Sequence, residues 1–237
     1  MTWSILARDP ATGALGAAVA SRFFAVGGIC LAVEGRVAAL STQALVNPLY
    51  AIEAMKRLRA DEAPQAVLDA LTGSDPGGAQ RQLHILDADG RIAQHTGADC
   101  IGWAGHVRGA DVSVAGNMLA GEAVVRRTME AFLAASGPFA ERLLSAMEAG
   151  EAAGGDKRGR QSAALRICTN DPYPDLDIRA DDHPDPLAEL RRLYRVSLER
   201  FAVFRRFLPG ADSPFGVHDR AVIDAAIARE ARPPGIE

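Results

Sequence analysis

The sequence predicts an α+β fold in which two antiparallel sheets stack face to face and helices cover both outer sides, a four-layer αββα sandwich. Two observations carry the prediction. Strand-like segments come in runs separated by pairs of helical segments, whereas a doubly wound parallel fold would alternate single strands with single helices. The 237 residues are also 48% apolar, enough to fill a packed core, and no linker is long enough to separate two domains.

In chain order, Thr2 to Ala7 is a short apolar strand, the DPATG turn at 9–13 reverses the chain, and Leu15 to Ala20 returns as the hairpin partner, ending at Ser21-Arg22. Ile29 to Val33, the turn Glu34-Gly35 and Val37 to Thr42 form a second hairpin, with Ser41-Thr42-Gln43 closing its strand. Asn47-Pro48 starts a helix, because Asn caps free N–H groups and Pro suits the first helical position; Ala51, Ala54, Met55 and Leu58 continue it. A second helix, Ala63 to Leu71, stops at Gly73 and Pro76-Gly77. Gln82 to Leu86 and Arg91 to Thr96 flank the DADG turn as a third hairpin. Val112 to Ala115 is a strand ended by Gly116-Asn117. Helices over 121–135 and 138–149 follow, the second ended by Gly150 and Gly154-Gly155. Strands over 162–168 and 177–179 lead to Asp185 and Pro186, an N-cap and first residue for an amphipathic helix over 186–207. One domain over 1–210 with a short extension over 211–237 accounts for the chain.

The connection GGDKRGRQSAAL at 154–165 gathers four hydrogen-bonding side chains, Asp156, Arg158, Gln161 and Ser162, between a helix and an apolar strand. Loops held by a rigid scaffold commonly carry binding or catalytic groups. The plainer interpretation is a surface loop in which Asp156 and Arg158 pair with each other.

A net charge of -4 gives no electrostatic reason to expect nucleic acid. No apolar run is long enough for a membrane span or a signal peptide, so a cytoplasmic protein is expected. Cys30, Cys100 and Cys168 are odd in number, scattered and set among apolar neighbours, and read as reduced core thiols. Asp181, Asp182, His183 and Asp185 could suggest a metal, but helix capping and a solvated turn explain them, and no metal or organic cofactor is expected. Walker A, GxSxG, HExxH and GxGxxG motifs are absent.

The blocks TWSILARDPATGALGAAVASRFFAVG, STQALVNPLY, GNMLAG, GGDKRGRQSAAL and DDHPDPLAEL, in this order from Thr2 to about Tyr194, closely resemble the bacterial and archaeal family DUF1028, which is grouped with the Ntn (N-terminal nucleophile) hydrolase fold. The resemblance implies a fold more firmly than a reaction, since a fold does not fix chemistry. Ntn enzymes use an N-terminal Thr, Ser or Cys whose own α-amine is the general base. Thr2 matches once Met1 is removed. Ser21-Arg22 match a serine and arginine that end the second strand, while Thr42 and Gln43 stand where a lysine is usual. Gly116-Asn117 resembles an oxyanion-stabilising loop, and Asp156 resembles an acid beside the nucleophile.

The reading that follows is an amidohydrolase cleaving a small-molecule amide, with Thr2, Asn117 and Asp156 catalytic. Ser21, Arg22, Thr42, Gln43, Arg158, Gln161 and Ser162 would bind substrate, Arg158 through a carboxylate. The alternatives are a non-catalytic protein binding an anionic metabolite in the same cleft, and a structural oligomer. Phe201, Phe204 and Phe207 on the last long helix predict a homodimer.

Overall fold

The computed structural model describes Thr2–Ala231. β1 (Thr2–Arg8) and β2 (Leu15–Ser21) form the first hairpin. A short helix, α1 (Val26–Cys30), occupies the start of the expected third strand, and β3 (Leu31–Glu34) begins only after it and pairs with β4 (Ala38–Ala44). Gly27 permits this helix, because a Cβ there would lie 2.1 Å from the Ala164 Cβ. α2 (Pro48–Arg59) is capped by the Asn47 side chain, which accepts from the Leu49 N–H at 3.1 Å. α3 (Pro64–Ser74) leads to the hairpin β5 (Arg81–Asp87) and β6 (Ile92–Thr96).

β7 (Trp103–Gly109) was not expected; its glycines and half-exposed side chains belong to an edge strand. β8 (Val112–Leu119) runs past Gly116-Asn117 instead of stopping there. α4 (Glu122–Ala134) and α5 (Phe139–Ala152) follow, and Gly150 lies inside α5 instead of ending it. A Cβ at Gly150 would sit 2.2 Å from Thr128 Oγ1 and 2.8 Å from Trp3 Nε1, so the glycine lets α5 lie close to β1 and α4. β9 (Ser162–Cys168) and β10 (Leu176–Ala180) complete the strands. The helix expected over 186–207 is broken at Arg200 (φ −144°, ψ −46°) into α6 (Pro186–Glu199) and α7 (Phe201–Phe204), and α8 (Arg220–Glu230) packs on α7. The break turns Val203 inward, leaving Phe201 exposed and Phe204 and Phe207 half-buried.

The strands make a six-stranded sheet in the order β10-β9-β2-β1-β8-β7 and a four-stranded sheet in the order β3-β4-β5-β6. Helices α4, α5 and α6 cover the outer face of the first, α2 and α3 that of the second, and the inner faces meet. The four-layer αββα sandwich is therefore observed. Because strand side chains alternate between faces, Trp3 and Ile5 join Phe132, Leu143 and Met147 under the helices. Leu6, Leu15, Val19, Val33 and Leu86 meet between the sheets. Leu40, Leu83 and Ile85 pack under α2 and α3.

Candidate functional site

Four polar residues cross the six-stranded sheet in one row. Ser162 on β9 faces Ser21 on β2, Ser21 faces Thr2 on β1, and Thr2 faces Asn117 on β8. Directly opposed residues share a face, and this row shares the inner one with Leu6, Val19 and Ala164. All four are buried, Thr2 being 7% exposed. Thr2 Oγ1 donates to Ser21 Oγ at 3.2 Å. Ser162 Oγ accepts from the Val26 N–H at 3.1 Å and donates to the Phe23 carbonyl, so it fixes the turn that leaves β2.

Asp156 clamps the rim of the row. Its carboxylate accepts from the Arg22 N–H at 2.8 Å, the Arg158 N–H at 2.9 Å, and the Arg158 guanidinium at 3.0 and 3.3 Å. The expected Asp156–Arg158 pair thus exists, and it also holds the residue after Ser21. Arg22, exposed, donates to the Arg158 carbonyl at 2.7 Å. Gln161 follows the rim with its backbone, donating to the Ser21 carbonyl at 3.2 Å, but its side chain reaches outward to Asp182. Thr42 lies on the other face of its strand; its hydroxyl donates to the Asn47 carbonyl at 3.2 Å, under α2, so it lies outside the Thr2 layer.

The sequence suggested Asn117 as an oxyanion donor, and the structure gives its side-chain amide two partners within the protein. Its position is inside β8, and the left-handed conformation falls on the next residue, Met118 (φ 54°). Its amide has two hydrogens, and the Nδ2 contacts are the Gln82 Oε1 at 3.0 Å and the Thr2 carbonyl at 3.4 Å. The side chain therefore holds Thr2 in place.

Between the sheets this row meets Gln43, which the sequence singled out, together with Ser4, Gln82, His84 and Ser113, which it did not. Gln43 Nε2 donates to Gln82 Oε1 at 2.8 Å and to the Ala115 carbonyl at 3.2 Å. Ser4 Oγ donates to Gln43 Oε1 and contacts His84 Nε2, both at 2.8 Å, and His84 Nδ1 lies 2.7 Å from Ser113 Oγ. With the Ser4 proton on Gln43, His84 must carry its proton on Nε2 and accept from Ser113 at Nδ1. A neutral ring satisfies both contacts. Burial, with a smaller contribution from His106, pushes the His84 pKa down to about 3. The signal that could have revealed this layer is the alternation Gln82-His84 facing Ser41-Gln43 in register.

Three left-handed alanine or methionine residues flank the same end of the sheets: Ala25 (φ 51°), Ala44 (φ 69°) and Met118 (φ 54°). Each costs about 1–2 kcal/mol, and such strain collects at functional sites. A surface cavity of about 290 Å³ lies elsewhere, between α2 and the β3 edge, lined by Val33, Ile52 and Met55.

The remaining expectations fall as follows. Burial pushes the Cys30 and Cys168 thiols up to about 12 and about 11, as for core cysteines. Asp185 caps α6, Asp181 pairs with Arg179, and His183 Nδ1 accepts from the Asp185 N–H. Among the described residues, no group of three or more His, Cys, Asp or Glu is placed to hold a metal ion, and no helix is long and apolar enough to cross a membrane.

The family DUF1028, described as a family of unknown function, matches residues 2–190. The crystal structure of protein SPO2555 from Silicibacter pomeroyi, assigned to the same family, is 33% identical, covers 92% of this chain and 99% of its own, and superimposes with a TM-score of 0.86. The chain belongs to DUF1028. No curated protein matches this DUF1028 chain. A more distant structure, Anbu (ancestral beta-subunit) from Yersinia bercovieri, is 14% identical over 88% of this chain and 98% of its own, with a TM-score of 0.38. Within DUF1028, the matched span contains the whole Ser162–Ser21–Thr2–Asn117 row and the Asp156 clamp.

Proposed function

We propose that this protein is an Ntn-type amidohydrolase that cleaves the C–N bond of a small-molecule amide, with Thr2 as nucleophile. The observation that carries this reading is the place of Thr2. It opens the central strand β1, faces the inter-sheet layer, and has its hydroxyl beside that of Ser21 within a frame held by Asp156 and Asn117. A hydroxyl needs a base to attack an amide, and removal of residue 1 would place the Thr2 α-amine next to it. That amine titrates near pH 7.7–8.0 in model peptides, roughly matched to neutral catalysis.

In the proposed reaction the amine takes the hydroxyl proton as Oγ1 bonds to the amide carbon. The C–N bond then breaks, the proton leaves with the departing amine, and water, deprotonated by the same α-amine, cleaves the Thr2 ester. The oxyanion falls to backbone N–H groups, since the Asn117 amide hydrogens are committed. Arg22 at the rim, with Arg158 shared with Asp156, would meet a substrate carboxylate. No metal or organic cofactor enters the proposal.

Intact-mass measurement on protein from its native host, combined with turnover of an amide panel, tests this. Loss of Met1 and inactivity of a folded Thr2→Ala are expected. Full activity with Met1 retained overturns the mechanism, and binding of the panel without turnover favours an anionic-metabolite-binding protein. The proposal includes a homodimer through the Phe201 end of α7; an unchanged oligomeric mass in light scattering after truncation at Tyr194 would remove it.

A further inference from the structure

We propose that Gln82 is a positioning residue for Thr2, acting from the opposite sheet. This inference rests on the nucleophile reading above. Gln82 sits on β5, wholly buried, and every polar atom of its amide is used. Its Oε1 accepts from Asn117 Nδ2 at 3.0 Å and from Gln43 Nε2 at 2.8 Å. Its Nε2 reaches Thr96 Oγ1 at 2.8 Å and the carbonyls of Gly116 at 2.9 Å and Gly105 at 3.1 Å.

Two of these partners matter for the nucleophile. Gly116 and Asn117 are the β8 residues that face Trp3 and Thr2 on β1. One amide from the four-stranded sheet thus grips two consecutive residues of the six-stranded sheet, a main-chain carbonyl and a side chain. Asn117 passes that grip to the Thr2 carbonyl. The effect is to fix the separation of the sheets and the seat of Thr2 where Oγ1 must meet a carbonyl carbon, a place where displacements of about 1 Å can cost on the order of 10²-fold in rate. A glutamine does this without charge. Gln43, beside it, is likewise an amide, so the layer behind Thr2 holds Thr2 by hydrogen bonds alone while its ring member, His84, stays neutral.

The test uses protein beginning at Thr2 and a β-lactone, which acylates a nucleophilic Thr hydroxyl, with the labelling rate read by mass spectrometry. Gln82→Leu keeps the volume and removes every hydrogen bond, and Gln82→Glu keeps the shape but makes the group titratable. A buried carboxyl without a cation has a raised pKa. Below that pKa it can still donate one hydrogen bond, and above it none. Gln82→Glu should therefore label at least ten-fold more slowly at high pH and recover toward low pH, adding a titration to the profile. Gln94→Glu, at the far end of the layer where it meets Ser113, should add none. A Gln82→Glu profile superimposable on the parent overturns the inference, as does an equal effect at Gln94. If the parent protein itself is not acylated at Thr2, the nucleophile reading fails; the positioning inference is then decided by ¹⁵N NMR. Thr2 and Asn117 resonances should shift in Gln82→Glu and stay in place in Gln94→Glu, and unmoved Thr2 resonances in both overturn it.

Discussion

The two ends of the inter-sheet layer are built from the same strands and yet are chemically opposite. On β1 the inward residues run from Thr2 and Ser4 to Leu6; on β2 from Ser21 to Val19 and Leu15; on β5 from Gln82 and His84 to Leu86. At the Leu6 end the sheets meet through hydrocarbon. At the Thr2 end they meet through hydrogen bonds between buried side chains. Burying one large aliphatic side chain stabilises by about 1.5–3 kcal/mol, whereas a typical hydrogen bond contributes about 0.5–1.5 kcal/mol net. The apolar end therefore supplies stability. The polar end supplies position: its bonds are directional, and losing a partner strands a buried group.

The largest effect should separate activity from stability at the two ends. Thr2→Ala is expected to lower amide turnover by at least about 10³-fold, since the remaining groups can only bind and polarise substrate. Its unfolding free energy should move by about 1–2 kcal/mol, because the bond to Ser21 and one buried methyl group are lost. Leu6→Ala at the other end should do the reverse, costing about 2–5 kcal/mol in denaturant unfolding while the folded fraction keeps its turnover per molecule. Equal losses of stability at both positions would erase the distinction.

Acid should act on the polar end selectively. His84 has its pKa pushed down to about 3 in the folded protein, against about 6.5 in the unfolded chain. Below pH 6.5 the unfolded state binds a proton that the folded state does not. Stability from this group is thus complete above about pH 6.5 and is lost as pH falls from there toward 3, with a slope of at most about 1.4 kcal/mol per pH unit. His106, exposed on the edge strand β7, is also lowered, first by desolvation, and adds a slope of the same sign. Urea unfolding of His84→Gln between pH 4 and pH 7 should be flatter than that of the parent. Parallel slopes would mean that His84 does not stay neutral.

These contrasts also mark where the sequence was informative. Caps and turns were legible because their residues act locally: Asn47-Pro48 and Asp185-Pro186 start their helices as read, and β1 with β2 closes as a hairpin. The order of strands and helix pairs was enough for the four layers. The inter-sheet polar layer was hidden, because a strand alternating Leu83 and Ile85 with Gln82 and His84 looks like one with a wet face. Here both faces are buried, and only the neighbouring sheet shows it. Thr2, Ser21 and Ser162 were singled out and do share a row, while Thr42 lies on the opposite face of its strand, because its side is set by strand parity. The strand expected to end at Gly116-Asn117 continues to Leu119, and its left-handed residue is Met118, a type that rarely adopts that geometry.

The smallest effect compares two serines that donate to the same atom. Ser4 Oγ and Ser41 Oγ both donate to Gln43 Oε1, at 2.8 and 3.1 Å, and both are fully buried. Ser4 has a second task, since it also accepts the His84 Nε2 proton. Ser4→Ala therefore leaves a buried imidazole N–H without a partner, at a cost of about 1–3 kcal/mol. Ser41→Ala leaves Gln43 Oε1 still accepting from Ser4, so the expected loss is below about 1 kcal/mol. In Ser4→Ala the ring can also exchange its proton to Nδ1 and face Ser113 as donor, which would appear as a change of tautomer in the His84 ¹⁵N shifts. Ser41→Ala should leave those shifts where they are. If the two substitutions cost the same and neither moves the His84 tautomer, the chain of bonds from Gln43 through Ser4 to His84 does not operate as a unit, and the polar end is a set of separate contacts.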